Sequence, residues 1–495
     1  MTHGGNRAQA AIDAQLEIGV SNFGPISRGT LRIAPMTILV GPNNSGKTYA
    51  ALLAHSVLSC MSAGADPRRL AAMIDERRKS QGFRRLVQDM ESLADSAGPD
   101  RVRIPPRLSG QVYDLVGAFF ARELASTIED NFGIGLASLV RTGARSSKIR
   151  ISGSIAASIT LRKSSPPSAV LDPATTQYAL AARAGQIAVY VRNAVDGIRD
   201  GGYQDSSVND LVDRALDELG MTENLGLRAV LSLFMEIGRP YFFRPGKPYY
   251  LPAGRSGILT PRGIRRLNAA GGMGHGESCQ GAGGTGALSD AVALFYSTPA
   301  QRCPIPKNAK TAVGEMFGGS LVLPKPGHEP PKIAYRLNGA EVPIWLAPPG
   351  IADAATLQLF QSGSSRADVL VFEEPEAHLH PESQTKLANH ILRLVNDGTH
   401  AILATHSVHF LEQMSLFLKM SRLTPGQRKQ MKYAPDDSLD NDDVSPYAFK
   451  ADPKGGYEIR EIEHSVADGI SQDDFMHVIE YMYEEDLAVE QAVEM

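Results

Sequence analysis

One stretch of the chain has the residue types and spacing of a loop that binds nucleotide phosphates. Residues 41 to 48 read Gly-Pro-Asn-Asn-Ser-Gly-Lys-Thr and match G-x-x-x-x-G-K-[ST] at every fixed position. The glycines allow backbone N–H groups to approach an anion without a side chain in between. We therefore expect ATP as the ligand, with Lys47 at the β- and γ-phosphates and Thr48 on Mg²⁺. The other residues expected around the phosphates are Asn43, Asn44, Ser45 and Gly46.

Two adjacent carboxylates follow a second apolar run. Residues 369 to 372 read Val-Leu-Val-Phe, which is typical of a buried strand, and Glu373 and Glu374 come directly after them. We assign Glu373 to holding Mg²⁺ through water and Glu374 to polarising the attacking water. A solvated acidic strand end is the alternative. The phosphate loop earlier in the chain favours the catalytic interpretation.

The residues after this strand resemble a known family. Residues 373 to 381 read Glu-Glu-Pro-Glu-Ala-His-Leu-His-Pro, and they look like the Walker B motif and D-loop of the overcoming-lysogenization-defect (OLD) family. These proteins are relatives of the SMC and RecF-type ABC ATPases. Residues 22 to 26 are similar to the family's opening strand and turn, and residues 404 to 407 resemble its switch-histidine motif. The resemblance covers roughly residues 15–60, 245–260 and 335–480.

The resemblance implies roles for several single residues. His406 would contact the γ-phosphate and link hydrolysis to conformation. His378 and His380 would lie at a seam between subunits, although H-x-H spacing alone also suits a metal site. Arg255 lies in a segment similar to one in the family, and two interpretations stay open for it: an arginine that faces the site, or one paired with an acid in the sheet. The residue in the Q-loop role is open as well, with candidates Gln81 and Gln177.

A second subunit completes the site in ABC ATPases through its signature loop, which in OLD-like proteins typically contains Ser-Ser-Gly before a helix. The matching segment, residues 346 to 353, keeps Gly350 but has Pro348 and Pro349 in place of the serines. The backbone N–H of Gly350 and the helix dipole are expected to face the partner's nucleotide. The prolines remove a side-chain donor and backbone donors, so we expect an ATPase that binds ATP and hydrolyses it slowly.

The hydrophobic pattern around these motifs predicts an α/β fold. The expectation is an ABC-type P-loop ATPase with a doubly wound sheet, an antiparallel β subdomain and a helical insertion. Hairpins are predicted at residues 148–162, inside the insertion, and at residues 447–462. The predicted regions are an ATPase N-lobe with Walker A (1–62), the helical insertion with its hairpin (63–240), an ATPase C-lobe with the signature-like loop, Walker B and switch histidine (241–435), and a C-terminal hairpin and helix (436–495).

Composition narrows the classes of function. The formal net charge of the 495 residues is −4. This argues against a protein that binds nucleic acid or another polyanion over most of its surface, but it leaves a local basic groove possible. The run Arg262–Arg266 is one candidate for it, with a solvated loop as the simpler interpretation. Three widely spaced cysteines form no metal or disulfide pattern, which favours a reduced, cytoplasmic setting. No apolar run is long enough to span a bilayer, so a membrane role would need a partner.

A nuclease activity within the chain is not expected. Many OLD-like proteins append a TOPRIM nuclease, which needs a glutamate at one strand end and Asp-x-Asp at another. The acidic residues 436 to 443 have no flanking apolar strands, and we interpret them as a solvated linker. We therefore expect an ATPase without a nuclease of its own.

The leading hypothesis is an ATPase that forms a dimer or higher homo-oligomer and acts as a sensor or scaffold. It would control a separate effector protein in anti-phage defence, a role that follows from the resemblance alone. The alternative is a DNA-maintenance ATPase of the RecF/SMC type, and DNA stays open as a partner. A transporter subunit is disfavoured, because the signature loop is incomplete and a long insertion separates the two Walker motifs.

Overall fold

Eleven of the described strands form one sheet. In this computed structural model the described residues are 16–95, 105–153, 156–163, 168–171, 206–242, 246–258, 311–323, 333–363, 369–472, 485 and 489. The strands are β1 (Glu17–Phe23), β2 (Ile26–Arg32), β3 (Met36–Val40), β4 (Ser146–Ser152), β5 (Ala157–Arg162), β6 (Ser168–Leu171), β7 (Pro248–Leu251), β8 (Ser320–Val322), β9 (Ala334–Leu337), β10 (Ala340–Pro343), β11 (Val369–Glu373), β12 (His400–Thr405), β13 (Val444–Ala451), β14 (Tyr457–Glu461), β15 (His464–Ser465) and β16 (Gly469–Ile470).

The large sheet has a parallel half and an antiparallel half. Its strand order is β6-β5-β4-β1-β2-β14-β13-β3-β12-β11-β7. Strands β13, β3, β12, β11 and β7 pair in parallel, whereas β6, β5, β4, β1 and β2 pair antiparallel. Because parallel strands end at the same edge, the residues after β3, β12, β11 and β7 are brought together there.

Helices cover both faces of the parallel half. They are α1 (Lys47–Ser62), α2 (Pro67–Arg77), α3 (Gln81–Asp95), α4 (Pro106–Phe132), α5 (Leu136–Leu139), α6 (Ser206–Leu219), α7 (Leu225–Phe242), α8 (Arg255–Ile258), α9 (Ala312–Phe317), α10 (Pro349–Gly363), α11 (Pro381–Asn396), α12 (Val408–Lys419) and α13 (Pro425–Gln430).

Strand β11 shows how the two faces are separated. Its alternate residues enter two different cores: Val369 and Val371 belong to the core that also contains side chains of α1 to α7, and Leu370 and Phe372 belong to the core that contains side chains of α9 to α12. A strand buried on both faces needs such a continuous apolar run. The α/β fold with a doubly wound sheet and helical lobe is therefore as predicted.

Both predicted hairpins form, and both belong to the main sheet. Strand β4 of the first hairpin pairs with β1, with Ile151 opposite Ile18. The second hairpin supplies β13 and β14, which lie between β2 and β3. The sheet thus combines strands from all four predicted regions, so the antiparallel strands and the C-terminal hairpin are integral to the ATPase fold.

The acidic stretch at residues 436 to 443 is more ordered than predicted, and the interpretation as a solvated linker is wrong for two of its residues. Asp437 and Leu439 are buried. The Asp437 carboxylate accepts the Ala434 N–H at 2.7 Å, and the Leu439 N–H donates to the Phe417 carbonyl at 3.1 Å. Local hydrogen bonds thus compensate for burying the charge.

Some predicted features lie outside the described residues. These are the basic run 262–266, Gln177 and, except for Glu485, the closing helix predicted at residues 473–485. None of the described helices combines the length and the apolar character needed to cross a bilayer.

Candidate nucleotide site

The phosphate loop connects the end of β3 to the start of α1, as its sequence predicts. Gly46 is the N-cap of α1, with φ +105°, and no side chain accepts the first-turn N–H groups. Those donors and the positive end of the helix dipole are therefore available to an anion. A Cβ on Gly46 would lie 2.8 Å from Ile26, and one on Gly41 would lie 3.0 Å from Phe449 Cβ. Strands β2 and β13 thus pack tightly behind the loop, and Pro42, Asn43 and Asn44 remain exposed.

Lys47 is held at the mouth of this loop. Its side chain is buried, and Nζ donates to the Gly41 and Pro42 carbonyl oxygens at 2.8 Å each. Burial lowers the pKa of Lys47 to about 8. Nearby carboxylates oppose this shift, in decreasing order those of Glu374, Glu373 and Glu376. A polyphosphate would offer this ammonium stronger acceptors than two carbonyls do, since charge-assisted hydrogen bonds are roughly twice as strong as neutral ones.

Thr48 and Glu373, the two predicted Mg²⁺ residues, lie side by side. The Thr48 hydroxyl, the Tyr250 hydroxyl and the Ala253 N–H all reach the Glu373 carboxyl group, whose pKa burial raises. Its Oε1 atom is buried and has no hydrogen-bond partner among the described residues. Mg²⁺ prefers oxygen ligands, and an unpaired carboxylate oxygen beside a hydroxyl oxygen supplies two of them. The residues therefore fit a magnesium ion.

Tyr250 was not found by sequence reasoning. It lies on β7, directly opposite Val371 of β11, and burial raises the pKa of its hydroxyl well above the usual value. The tyrosine therefore stays protonated and donates to Glu373. Its only sequence signal is its place in the apolar run before Arg255, which does not reveal the partner.

Glu374 and His406 face each other across the end of the sheet. The Glu374 Oε1 and His406 Nε2 atoms are 3.8 Å apart, and both side chains are partly exposed. Glu374 has φ +41°, a conformation that is uncommon for a non-glycine residue and that often marks functional sites. The His406 ring is hydrogen-bonded to the Gly41 backbone, and burial, followed by the charge of Lys47, lowers its pKa. The ring is thus neutral at pH 7 and placed at the phosphate loop.

Glu376 organises the switch segment, a role that sequence reasoning also missed. Its Oε1 atom accepts hydrogen bonds from the Thr405 hydroxyl at 2.8 Å, the His406 N–H at 2.9 Å and the Ser407 N–H at 3.1 Å. Ser407 is in turn the N-cap of α12 and accepts the Phe410 N–H at 3.1 Å. One carboxylate therefore fixes the backbone that carries His406.

The signature-like segment begins a helix, as predicted, but its glycine packs against its own chain. Helix α10 begins at Pro349. Gly350 is buried, and a Cβ there would lie 2.8 Å from the His378 carbonyl oxygen and 3.2 Å from Leu379. Beside it, Leu346 is 69% exposed. The role of Gly350 at a partner's nucleotide stays a prediction, whereas its contact with its own D-loop is direct.

Arg255 is closer to the second of its two alternatives, a structural arginine, but the acid that it faces is on helix α10 and not in the sheet. It is fully buried, and Nη1 donates to the Pro252 and Glu373 carbonyl oxygens at 3.1 and 3.0 Å. Its Nε atom is 3.5 Å from Oδ1 of Asp353, a buried residue of α10. The other Asp353 oxygen is 3.1 Å from Nδ1 of His378. This Arg255–Asp353–His378 chain joins β7, β11, α10 and the D-loop.

Two further residues have local roles that the sequence did not predict or lie elsewhere than expected. The exposed ring of His380 caps α11, where it accepts the Glu382 N–H at 3.4 Å, and its place at a seam between subunits stays a prediction. Gln81 begins α3 on the helical lobe and is exposed. The segment that follows β7, residues 252 to 257, instead lies beside Glu373 at the sheet edge.

Comparison with known proteins supports an ATPase. Residues 332–411 match the family described as the AAA ATPase domain. This range contains Gly350, Glu373, Glu374 and His406, which are four of the predicted site residues. No curated protein matches the chain by sequence.

Solved structures of SMC heads are similar over most of the chain. The SMC head domain from Thermotoga maritima is 10% identical, with a TM-score of 0.33, and the match covers 91% of this chain and 99% of that one. An SMC head bound to the C-winged helix domain of ScpA is 11% identical, with a TM-score of 0.39 and coverages of 93% and 98%. An SMC head domain with an extended coiled coil, bound to the C-terminal domain of ScpA and derived from Pyrococcus furiosus, is 9% identical, with a TM-score of 0.34 and coverages of 94% and 98%. Scores this low do not bear on function.

Proposed function

We propose that the chain binds MgATP at residues 41–48 and hydrolyses it. The observation that carries this proposal is the convergence at one sheet edge of Lys47, Thr48, Glu373, Glu374 and His406. Sequence reasoning reached these residues from three separate motifs. Contact among them has a simple explanation if they share one ligand.

Each group has a task that follows from its surroundings. Lys47 supplies positive charge at the loop mouth. Thr48 and Glu373 would hold Mg²⁺, which when bound neutralises charge on the β- and γ-phosphates. The Glu374 carboxylate is open to solvent and accepts a proton from the attacking water. The neutral His406 ring lies between this carboxylate and the loop, where it contacts the γ-phosphate.

We propose further that the working unit is a dimer or larger homo-oligomer. Helix α10 and the D-loop form one surface, since Gly350 packs on His378, and its edge exposes Leu346, Pro348 and Pro349. This is the surface that would meet the nucleotide of a second copy.

The test of this proposal is the mass of the protein in solution, measured by light scattering with and without MgATP. We expect the mass to double in Glu374→Gln with ATP and to stay that of one chain in Lys47→Ala. If the mass is unchanged in both variants, the proposal that a second subunit completes the nucleotide site is wrong.

We propose that the ATP-bound assembly controls a separate effector protein in anti-phage defence in the cytoplasm. The support is the resemblance of residues 373–381 and 404–407 to the OLD family. We expect phage plating efficiency to rise when the gene is deleted in its native host, and complementation to fail with Lys47→Ala. Unchanged plating together with sensitivity to DNA damage would instead favour the second candidate.

That second candidate is a DNA-maintenance ATPase of the RecF/SMC type. The observation that favours it is a dense group of basic side chains at residues 77–85. ATP-dependent, salt-sensitive binding to duplex DNA by the purified chain is the expected result under this alternative.

A further inference from the structure

The turn between α2 and α3 carries an unusual concentration of positive charge. Residues 77 to 85, hereafter the basic turn, read Arg-Arg-Lys-Ser-Gln-Gly-Phe-Arg-Arg. Four arginines and one lysine stand here without an acid among them, although the whole chain has a formal net charge of −4. The charge is therefore a local feature and does not follow from the overall composition.

Most of these charges are not neutralised by neighbours. Within the described part of the chain, only Arg78 of the five basic residues has an ion pair, 2.6 Å from Asp75. Arg77, Lys79, Arg84 and Arg85 have none, and the last three are exposed.

Other arginines on the same helical lobe are paired. Arg68 lies 3.3 Å from Glu218, Arg69 3.1 Å from Glu123, and Arg122 3.0 Å from Glu76. Carboxylates therefore neutralise these three arginines, whereas four of the five basic residues of the basic turn have no such partner in the described part of the lobe.

The backbone of the basic turn is firmly positioned. The Ser80 N–H donates to the Arg77 carbonyl at 2.9 Å, and the Ser80 hydroxyl accepts the Phe83 N–H at 3.2 Å. Phe83 and Leu86 are buried in the lobe, so the first turn of α3 is anchored from beneath. A fixed backbone reduces the entropy lost when the basic side chains bind a ligand.

A cleft of about 190 Å³ extends this surface onto α4. Arg77, Ser80 and Gly82 line one wall, and Gln111 of α4 lines the other. Exposed Arg107 precedes Gln111 by one helical turn and therefore lies on the same face of α4. Asp114 and Arg77 both line the cleft, one acid and one base, so the excess positive charge lies on the exposed side chains around it, Lys79, Arg84, Arg85 and Arg107.

We propose that the basic turn, with Arg107, binds the phosphate backbone of duplex nucleic acid. Arginine forks match phosphate geometry, and the N-terminus of α3 adds a favourable dipole beside them. A membrane surface fits less well, because Phe83 and Leu86, the large apolar side chains of this region, are buried and cannot insert into lipid. A few phosphate contacts predict sequence-independent binding with a strong salt dependence. This inference does not rest on ATP hydrolysis.

The experiment compares two triple variants that lose equal charge. One is Lys79→Gln with Arg84→Gln and Arg85→Gln. The control is Arg422→Gln with Lys429→Gln and Lys432→Gln, three exposed basic residues around α13. Binding to a labelled duplex of about 30 base pairs is measured by fluorescence anisotropy between about 50 and 200 mM NaCl, with and without MgATP.

Wild type and control are expected to bind with the same salt dependence. The basic-turn variant should bind at least about tenfold more weakly, and its slope of log K against log salt should be shallower by about 2.7, or about 0.9 for each lost contact. Equal losses in the two triple variants, or no duplex binding by wild type at about 50 mM salt, would overturn the proposal. So would wild-type binding to phosphatidylserine vesicles but not to duplex. Unchanged thermal unfolding and ATP affinity confirm that the variant is folded. If the triple variant unfolds early, Arg84→Gln alone should still reduce the slope by about 0.9.

Discussion

At the scale of single residues, Glu376 shows how much one carboxylate controls. It accepts hydrogen bonds from one hydroxyl and two backbone N–H groups of the segment that carries His406. An unpaired donor left in a partly buried position costs free energy. The orientation of His406 toward the phosphate loop therefore depends on a residue that need not touch the nucleotide.

Glu376→Ala is expected to lower the free energy of unfolding by about 2 kcal/mol and to slow phosphate release, because the Thr405 hydroxyl and the His406 N–H lose their acceptor. The Ser407 N–H would keep only its bond to the Thr405 hydroxyl, at 3.0 Å. Glu376→Gln keeps a neutral acceptor and should recover roughly half of the stability. Chemical denaturation and steady-state phosphate release measure the two effects. Equal stability of the alanine variant and wild type would show that the switch segment is held by other contacts.

Glu374→Gln is expected to retain ATP affinity and to lose hydrolysis by about 100-fold or more, because the amide cannot accept the proton of the attacking water. Calorimetry measures the ATP affinity, and steady-state phosphate release measures the hydrolysis rate. Glu412→Gln, at an exposed position on α12, makes the same chemical change away from the site and should leave both unchanged. A Glu374→Gln enzyme with wild-type turnover would assign the base to another residue.

The sequence alone predicted the candidate site residues that lie in local motifs. The phosphate loop and the double acid were recognised because fixed spacing within one turn dictates their geometry. Tyr250 and Glu376 were missed because their partners, Glu373 and the residues after β12, are brought to them only by strand pairing. Arg255 stayed ambiguous for the same reason, since its counterion Asp353 lies far along the chain.

At the scale of elements, the Arg255–Asp353–His378 chain joins four elements at the sheet edge that carries the candidate nucleotide site. Both members of the ion pair are almost fully buried. Nε and Nη2 of Arg255 and Oδ1 of Asp353 have no hydrogen-bond partner within the described structure. A buried ion pair with incomplete hydrogen bonding recovers little of its desolvation cost. This pair therefore fixes the position of α10 more than it adds stability.

Asp353→Asn is expected to lower the free energy of unfolding by about 3 kcal/mol or more, because Arg255 is left buried without a counterion. The double variant with Arg255→Met removes that charge, and its free energy of unfolding should return to within about 1 kcal/mol of the wild-type value. Its rate of ATP hydrolysis should stay below that of wild type, because the contacts that position α10 are lost. Denaturation of the four proteins in the cycle measures the coupling. Additive losses of stability in the double variant would mean that the two side chains act independently.

The sequence predicted individual strands and helices better than their arrangement. Apolar runs and glycine positions located β3, α1, β11 and β12. The places of β4 and of the β13–β14 hairpin depend on pairing with β1, β2 and β3, and such non-local pairing leaves no local pattern. The same limit explains the acidic stretch, where Asp437 caps a turn that composition alone does not show.

At the scale of the whole molecule, the prolines of the signature-like segment set the expected rate. They lie at an exposed helix start, the surface at which a second copy would meet the nucleotide. Proline suits the first turn of a helix but offers no N–H. ATP would then be held between two subunits with fewer donors around the γ-phosphate.

Pro348→Ser with Pro349→Ser is expected to raise the rate of phosphate release by about tenfold, because hydroxyl and N–H donors to the partner's nucleotide are restored. Serine is also a favourable N-cap, so α10 should be preserved. ATP affinity of the isolated chain should not change. An unchanged rate in an assembly that still dimerises would show that the prolines do not limit hydrolysis.

The hairpin β13–β14 has a consequence for how the protein is made. Strand β3, which leads into the phosphate loop, pairs with β13 on one side, and Phe449 of β13 packs against Gly41. On the ribosome, β3 is synthesised roughly tens of seconds before β13, because about 400 residues separate the two strands and synthesis adds about 5–20 residues per second. During that time the nascent chain exposes an apolar strand edge that invites wrong pairing. A chain stalled before residue 444 would lack the support behind its phosphate loop, so we expect it to bind nucleotide only after this hairpin has been synthesised.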